Sequence, residues 1–166
     1  SLPSFLLGES SAKRNINNPT IITTWNYPRA NEEALSVLKN NGSAMDAAEA
    51  GCRILEADEK NIYIGIGSLP DETGKVTLDS CVMDSNGNCG SVAFLQNIVH
   101  PVSVARKVME DTKHVMLVGE GARKFAISKG FKQKNLLTKE SRKAWREWLK
   151  SNWAHGRTGC VLIQCY

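Results

Sequence analysis

The segment Asp84 to Asn88 (DSNGN) lies between two runs of strand character, and it constrains the fold more than any other stretch of the chain. Before it, Val76 to Met83 alternates so that Val76, Leu78, Ser80 and Val82 share one face; after it, Gly90 to Leu95 returns as a partner. A short turn between two such runs reads as a β-hairpin, with Asn86-Gly87 expected to supply the positive φ angles. A sheet built on this hairpin needs helices on its apolar face, and the remaining sequence offers them.

Thr20 to Trp25 (TIITTW) is rich in β-branched residues and closed by Asn26 and Pro28, so a strand feeding a loop is expected. Asn31 is expected to cap a helix that carries Glu32 and Glu33 in its positive first turn and ends by Gly42. Ser43 starts the next helix, with Asp46 in the place of a capping-box acid. Its face of Ala44, Ala47, Ala48, Gly51, Ile54 and Leu55 is small enough to predict close approach to a sheet. Ile62 to Ile66 and a loop with a Pro70-Asp71 and Gly74 turn lead into the hairpin. Pro101 then opens a helix with Ala105, Val108 and Met109 inward, and Val115 to Val118 reads as a buried strand. Gly121 to Lys129 is a helix stopped by Gly130, and Thr138 to Ser151 a last helix with Trp145, Trp148 and Leu149 on one side. That order predicts an α/β chain with a mixed sheet covered by helices.

At 166 residues one core is expected, and apolar runs of four residues such as Val115 to Val118 fall far short of the roughly 20 needed to span a bilayer. The five cysteines (Cys52, Cys81, Cys89, Cys160, Cys165) form no C-x-x-C pair and read as buried free thiols. Between Arg123 and Lys150 ten basic residues face two acidic ones. Because Trp145, Trp148 and Leu149 lean to one side and Arg142, Arg146 and Lys150 to the other, this is read as a solvated amphipathic helix, not a nucleic-acid surface. Gly119-Glu120-Gly121 has Lys124 where a dinucleotide fingerprint needs glycine, and Glu120 would repel a pyrophosphate. Gly65-x-Gly67 precedes no G-K-[ST], and His100, His114 and His155 lack ligand spacing. The stretch Gly65 to Asp84, with Asp71, Asp79 and Asp84, has the strongest chemical look, yet composition and spacing alone reach only an α/β domain.

Five ordered segments go further: TTWNYP (Thr23 to Pro28), NGSAMDAAEAGC (Asn41 to Cys52), PDETGKVTLDSCVMD (Pro70 to Asp84), GSVAF (Gly90 to Phe94) and PVSVARKVMEDTKHVMLVGEGA (Pro101 to Ala122). Together they resemble the α chain of the glycosylasparaginases, or aspartylglucosaminidases, which are N-terminal nucleophile hydrolases. The resemblance spans about residues 18–152. It implies a four-layer α/β/β/α sandwich of which only the first, α-chain part is present. It also implies a precursor that cleaves itself into α and β chains, the new N-terminal Thr of the β chain acting as nucleophile with its own α-amino group as base. The substrate is the side-chain amide of asparagine linked to N-acetylglucosamine, and no metal or organic cofactor is implied. The partners implied are the β chain of the same precursor and a second αβ pair, giving (αβ)2, with neither nucleic acid nor membrane.

One substrate-binding residue carries over, Trp25 of the T-W motif, whose indole would give a flat apolar wall beside a polar ligand. The family's cleavage junction, His-Asp-Thr-[Ile/Val]-Gly, is matched only by His155-Gly156-Arg157-Thr158-Gly159, where the Asp is missing and Thr158 is displaced by one. No catalytic residue is expected in this chain, Thr158 being only a poor match to the nucleophile, and the chain alone is expected to be inactive and poorly soluble, its sheet edges unpartnered. Ser68 stands where the family prefers glycine, a strained choice if φ is positive there. Residues 1–17, with Ser10-Ser11-Ala12, read as an export-signal remnant or a disordered extension, which would place the protein in a bacterial periplasm or a lysosome. Residues 153–166 read as a divergent, truncated or artefactual end. The alternatives are a relative acting on free asparagine or isoaspartyl peptides, and a catalytically dead fragment or binding protein.

Overall fold

The computed structural model describes residues 19–154, so the readings of residues 1–17 and of residues 155–166 lie outside the described residues. Three strands form one mixed sheet in the order β1-β2-β3. β1 (Leu78–Met83) pairs antiparallel with β2 (Cys89–Leu95), and β2 pairs parallel with β3 (Met116–Val118). The expected hairpin is present with Met83 opposite Cys89, but its turn differs in detail. Only Gly87 is left-handed, at φ 83°, whereas Asn86 is not. The cause is Asp84, whose carboxylate accepts the backbone N–H of both Asn86 and Asn88 and the Asn88 amide. That favours a longer loop closed by one glycine over a two-residue turn.

The parallel step from β2 to β3 needs a crossover, and α3 (Pro101–Asp111) supplies it with Pro101 at its first position, where a missing N–H is harmless. α4 (Gly119–Ser128) follows β3 at once, and Gly119 adopts φ 57° to make that sharp exit. The two helices share one core with Val82, Val92 and Leu95 of the sheet, through Val104, Ala105, Val108, Ala122 and Ala126. The seat is close. A Cβ on Gly90 would come within 2.3 Å of the Ala105 carbonyl oxygen and 2.4 Å of the Met109 nitrogen. A second cluster, Ile66, Val76, Leu78 and Leu136, lies beside the first.

α1 (Pro28–Lys39) and α2 (Ala44–Glu56) form a helical hairpin. The capping box is present as expected: the Ser43 hydroxyl accepts the Asp46 N–H, and the Asp46 carboxylate accepts the Ser43 N–H. The small face of α2, however, receives α1 and not the sheet, with the Gly51 position 3.0 Å from the Ala30 carbonyl oxygen. α1 also begins three residues before Asn31, because Pro28 is preset for a first helical position, and Tyr27 precedes it without a side-chain cap. Thr20 to Trp25 is not a strand. No described strand runs beside it, and the chain bends where the Thr23 hydroxyl and the Tyr27 N–H both donate to the Trp25 carbonyl.

Two further expectations are corrected. β3 is an edge strand of three residues with Met116 51% and Val118 55% exposed, so its apolar composition does not mark burial. Cys52 and Cys81 are exposed and Cys89 is half-buried; they lie on an outward helix side and on or near the open sheet, while Cys160 and Cys165 lie outside the described residues. α5 (Lys139–Ala154) presses Trp145 against Gly74 and leaves Lys143, Arg146 and Lys150 in water, as an amphipathic helix should. Among the described residues no helix is long and apolar enough to cross a membrane.

Candidate functional site

Trp25 stands on the bend between the N-terminal segment and α1, its indole more than half exposed. It does not close the core. Its neighbour is Tyr63, whose ring centre lies 5.8 Å away with the planes tilted by 32°. Tyr63 was not singled out in the sequence, where Ile62-Tyr63-Ile64 reads as one more β-like apolar run. The signal that could have found it is position, because it stands two residues before the Gly65-x-Gly67 turn.

That turn is tightly determined. Gly65 and Gly67 have φ of 71° and 88°, and a Cβ on Gly65 would fall 1.9 Å from the Glu56 carbonyl oxygen. Only glycine fits there. The loop is tied down by backbone bonds from Ile66 to Glu56 and from Gly67 to Leu136, both 2.9 Å. Asn61, buried, accepts the Tyr63 N–H at 3.0 Å and donates its amide to the Leu55 carbonyl. Ser68 does not have positive φ; it is buried, and its hydroxyl donates to the Gly65 carbonyl at 3.0 Å, so the strain foreseen for this departure from the family pattern is not incurred.

Beneath the same loop Glu56 is only 3% exposed. One carboxylate oxygen accepts the Val102 N–H at the start of α3 and the other meets His100 Nδ1 at 3.1 Å. Burial pushes its pKa up, opposed by the His100 and Val102 contacts. A carboxylate at a helix N-terminus is electrostatically well placed, so this is a structural clamp between α2, the glycine loop and α3.

The acidic residues that gave Gly65 to Asp84 its chemical look are spent on the backbone. Asp71 accepts from the Thr73 and Lys75 N–H groups, Asp79 from the Phe94 N–H at 2.7 Å, and Asp84 holds the hairpin turn. A groove of about 480 Å³ opens between the α-helical hairpin and α3, lined by Glu33, Asp46, Glu49, Arg53, His100 and Arg106 among others. Several of its charges serve each other. Arg106 bridges Asp46 and Glu49 at 2.7 Å each and Glu110 at 2.6 Å. The Ser43 hydroxyl and then Arg106 hold the Asp46 carboxyl down at about 2. Glu120 likewise pairs with Arg123 at 2.7 Å. Thr158, the other residue drawn from the family pattern, lies outside the described residues.

The aromatic pair, by contrast, is exposed apolar surface beside the glycine turn that takes no part in such ion pairs. Residues 5–161 match the model of a family described as Asparaginase. A curated N(4)-(β-N-acetylglucosaminyl)-L-asparaginase of Elizabethkingia miricola is 52% identical over 145 residues, 87% of this chain and 43% of that protein. Proteins of that name from Rattus norvegicus and Mus musculus are each 42% identical over 135 residues, 81% of this chain and 39% of theirs. The chain spans about two fifths of the length of these relatives. With the family model covering nearly its whole length and a mixed α/β fold in keeping with it, this chain belongs to the asparaginase family.

Proposed function

We propose that this chain is the α-chain portion of an amidohydrolase that cleaves the bond between N-acetylglucosamine and the side-chain nitrogen of asparagine. The observation that carries this reading is the 52% identity, over 87% of the chain, to a relative bearing that name. Trp25 supports it, because an indole fixed on a bend and open to solvent offers a flat apolar wall to a polar ligand. In this reading the nucleophile is the N-terminal Thr of a second portion, the β chain. Its hydroxyl oxygen attacks the amide carbon while its α-amino group takes the proton. The C–N bond then breaks, the glycosylamine leaves with a proton, and water hydrolyses the resulting ester to release aspartate.

The β chain is also the proposed cover for the sheet face that carries Cys81, Met83, Met116 and Val118, with two αβ pairs forming (αβ)2. The test is to express the chain together with sequence extending it to the relatives' length and to measure aspartate released from N4-(β-N-acetylglucosaminyl)-L-asparagine. Release is expected only after self-cleavage; a cleaved, folded protein that releases none overturns the reading. The general description of the matching family favours a second reading, hydrolysis of free asparagine. The ratio of kcat/KM for the two substrates decides between them.

A further inference from the structure

We infer that Tyr63 is a specificity-determining residue whose ring, held beside Trp25, receives the apolar face of the sugar on a glycosylated asparagine. This rests on the reading just given, in which only Trp25 was assigned to the substrate. Two independent observations carry it. The first is exposure: the paired residues keep 55% and 49% of their surface open side by side, so one ligand face can reach both rings.

The second is the way the pair is held. Tyr63 hangs from the buried Asn61, which is itself bonded to the end of α2, and the adjoining glycines are locked against Glu56 and Leu136. Trp25 is fixed by the Thr23 hydroxyl and the Tyr27 N–H on its carbonyl. Two rings presented on a braced backbone lose little freedom on binding, which is what a recognition surface requires.

The ligand chemistry follows from the rings. A pyranose gathers axial C–H bonds on a face while its hydroxyls point around the rim, so its face stacks on an aromatic ring and its rim hydrogen-bonds outward. The aspartyl end of the substrate offers no such face, being charged at the α-carbon and polar along the amide. Tyr63 therefore acts on the sugar and leaves the recognition of asparagine itself untouched.

The test uses the full-length, self-processed enzyme with Tyr63→Ala and Tyr63→Phe, and measures kcat/KM for N4-(β-N-acetylglucosaminyl)-L-asparagine and for free asparagine. Tyr63→Ala is expected to lower the first by about fivefold to tenfold, with the second changed by less than about twofold, while Tyr63→Phe keeps both. If both substrates lose equally, or if the melting temperature falls with the ratio unchanged, Tyr63 packs against the second portion and the inference is overturned while the amidase reading stands. A wild-type enzyme that cleaves only asparagine, or neither substrate, overturns the amidase reading and the inference with it.

Discussion

The two faces of the sheet are made of the same kinds of residue and live in different surroundings. On one, Val82, Val92 and Leu95 lie beneath α3 and α4 with almost no exposure, and Gly90 lets helix backbone touch strand backbone. On the other, Met83, Met116 and Val118 are each more than half exposed although β2 between them is well paired. The difference teaches that apolar content marks a surface to be covered, while what covers it need not be in the same stretch of chain. The covered face explains why these residues fold; the open face is where the proposed second portion would sit.

The largest effect should come from the covered face. Leu95→Ala removes a fully buried side chain from the centre of the main cluster and is expected to cost about 2–5 kcal/mol in urea unfolding. Met83→Ala on the open face of the chain by itself should change stability by less than about 0.5 kcal/mol. Equal losses at the two sites would break the comparison.

Next in size is a charge test of the cover itself. Met116→Glu with Val118→Glu should leave the stability of the chain by itself nearly unchanged and raise its solubility. In the extended polypeptide the same pair should abolish assembly, because two unpaired carboxylates would be buried. Urea unfolding reads the first arm and size-exclusion chromatography the second, and an extended protein that still assembles would show that this face stays open.

How much of this was legible beforehand follows the same division. The hairpin, the Ser43 capping box, the Pro101 helix start and the inward Ala105 and Val108 were all readable, because each is decided by residues a few positions apart. The exposure of Met116 and Val118 was not, since β-branched and apolar character is the same on a buried strand as on an edge awaiting a neighbour. Thr20 to Trp25 misled for the same reason: its composition suits a strand, but no described strand is there to pair with it. Of the proposed site, Trp25 is named from the family motif alone, whereas Tyr63 comes beside it only in three dimensions, through the Asn61 bond and the glycine turn.

Titration separates the covered interior from the surface more gently. Burial raises the Glu56 pKa in the folded protein, so its protonated form favours the fold. That contribution is complete below the ordinary carboxylate value and is lost as pH rises through the raised one. Glu56→Gln, which can still accept the Val102 N–H, should therefore remove part of the stability gained on acidifying from neutral pH. The half-buried Asp46, held down at about 2, acts with the opposite sign, and its contribution is lost only as pH falls toward that value. Parallel melting curves of wild type and Glu56→Gln across this range, identical at every pH, would remove Glu56 from the interior's account.

The smallest effect is also the one whose sign is most informative. Phe94, the last residue but one of β2, is left-handed at φ 53°, its N–H held by Asp79 and its ring about half exposed beside Gly119. A phenylalanine there pays about 1 kcal/mol of backbone strain that glycine would not. If the ring meets only water, Phe94→Gly relieves that strain, loses little packing and gives up some chain entropy, for a net change near +0.5 kcal/mol of stability at most. If a second portion covers the ring, the same substitution deletes a buried aromatic and destabilises by about 3–5 kcal/mol. Measuring it in the chain by itself and again in the extended, processed protein thus reads the cover over this ring directly: a change of sign between the two places a partner over Phe94, and the same small gain in both leaves the ring bare.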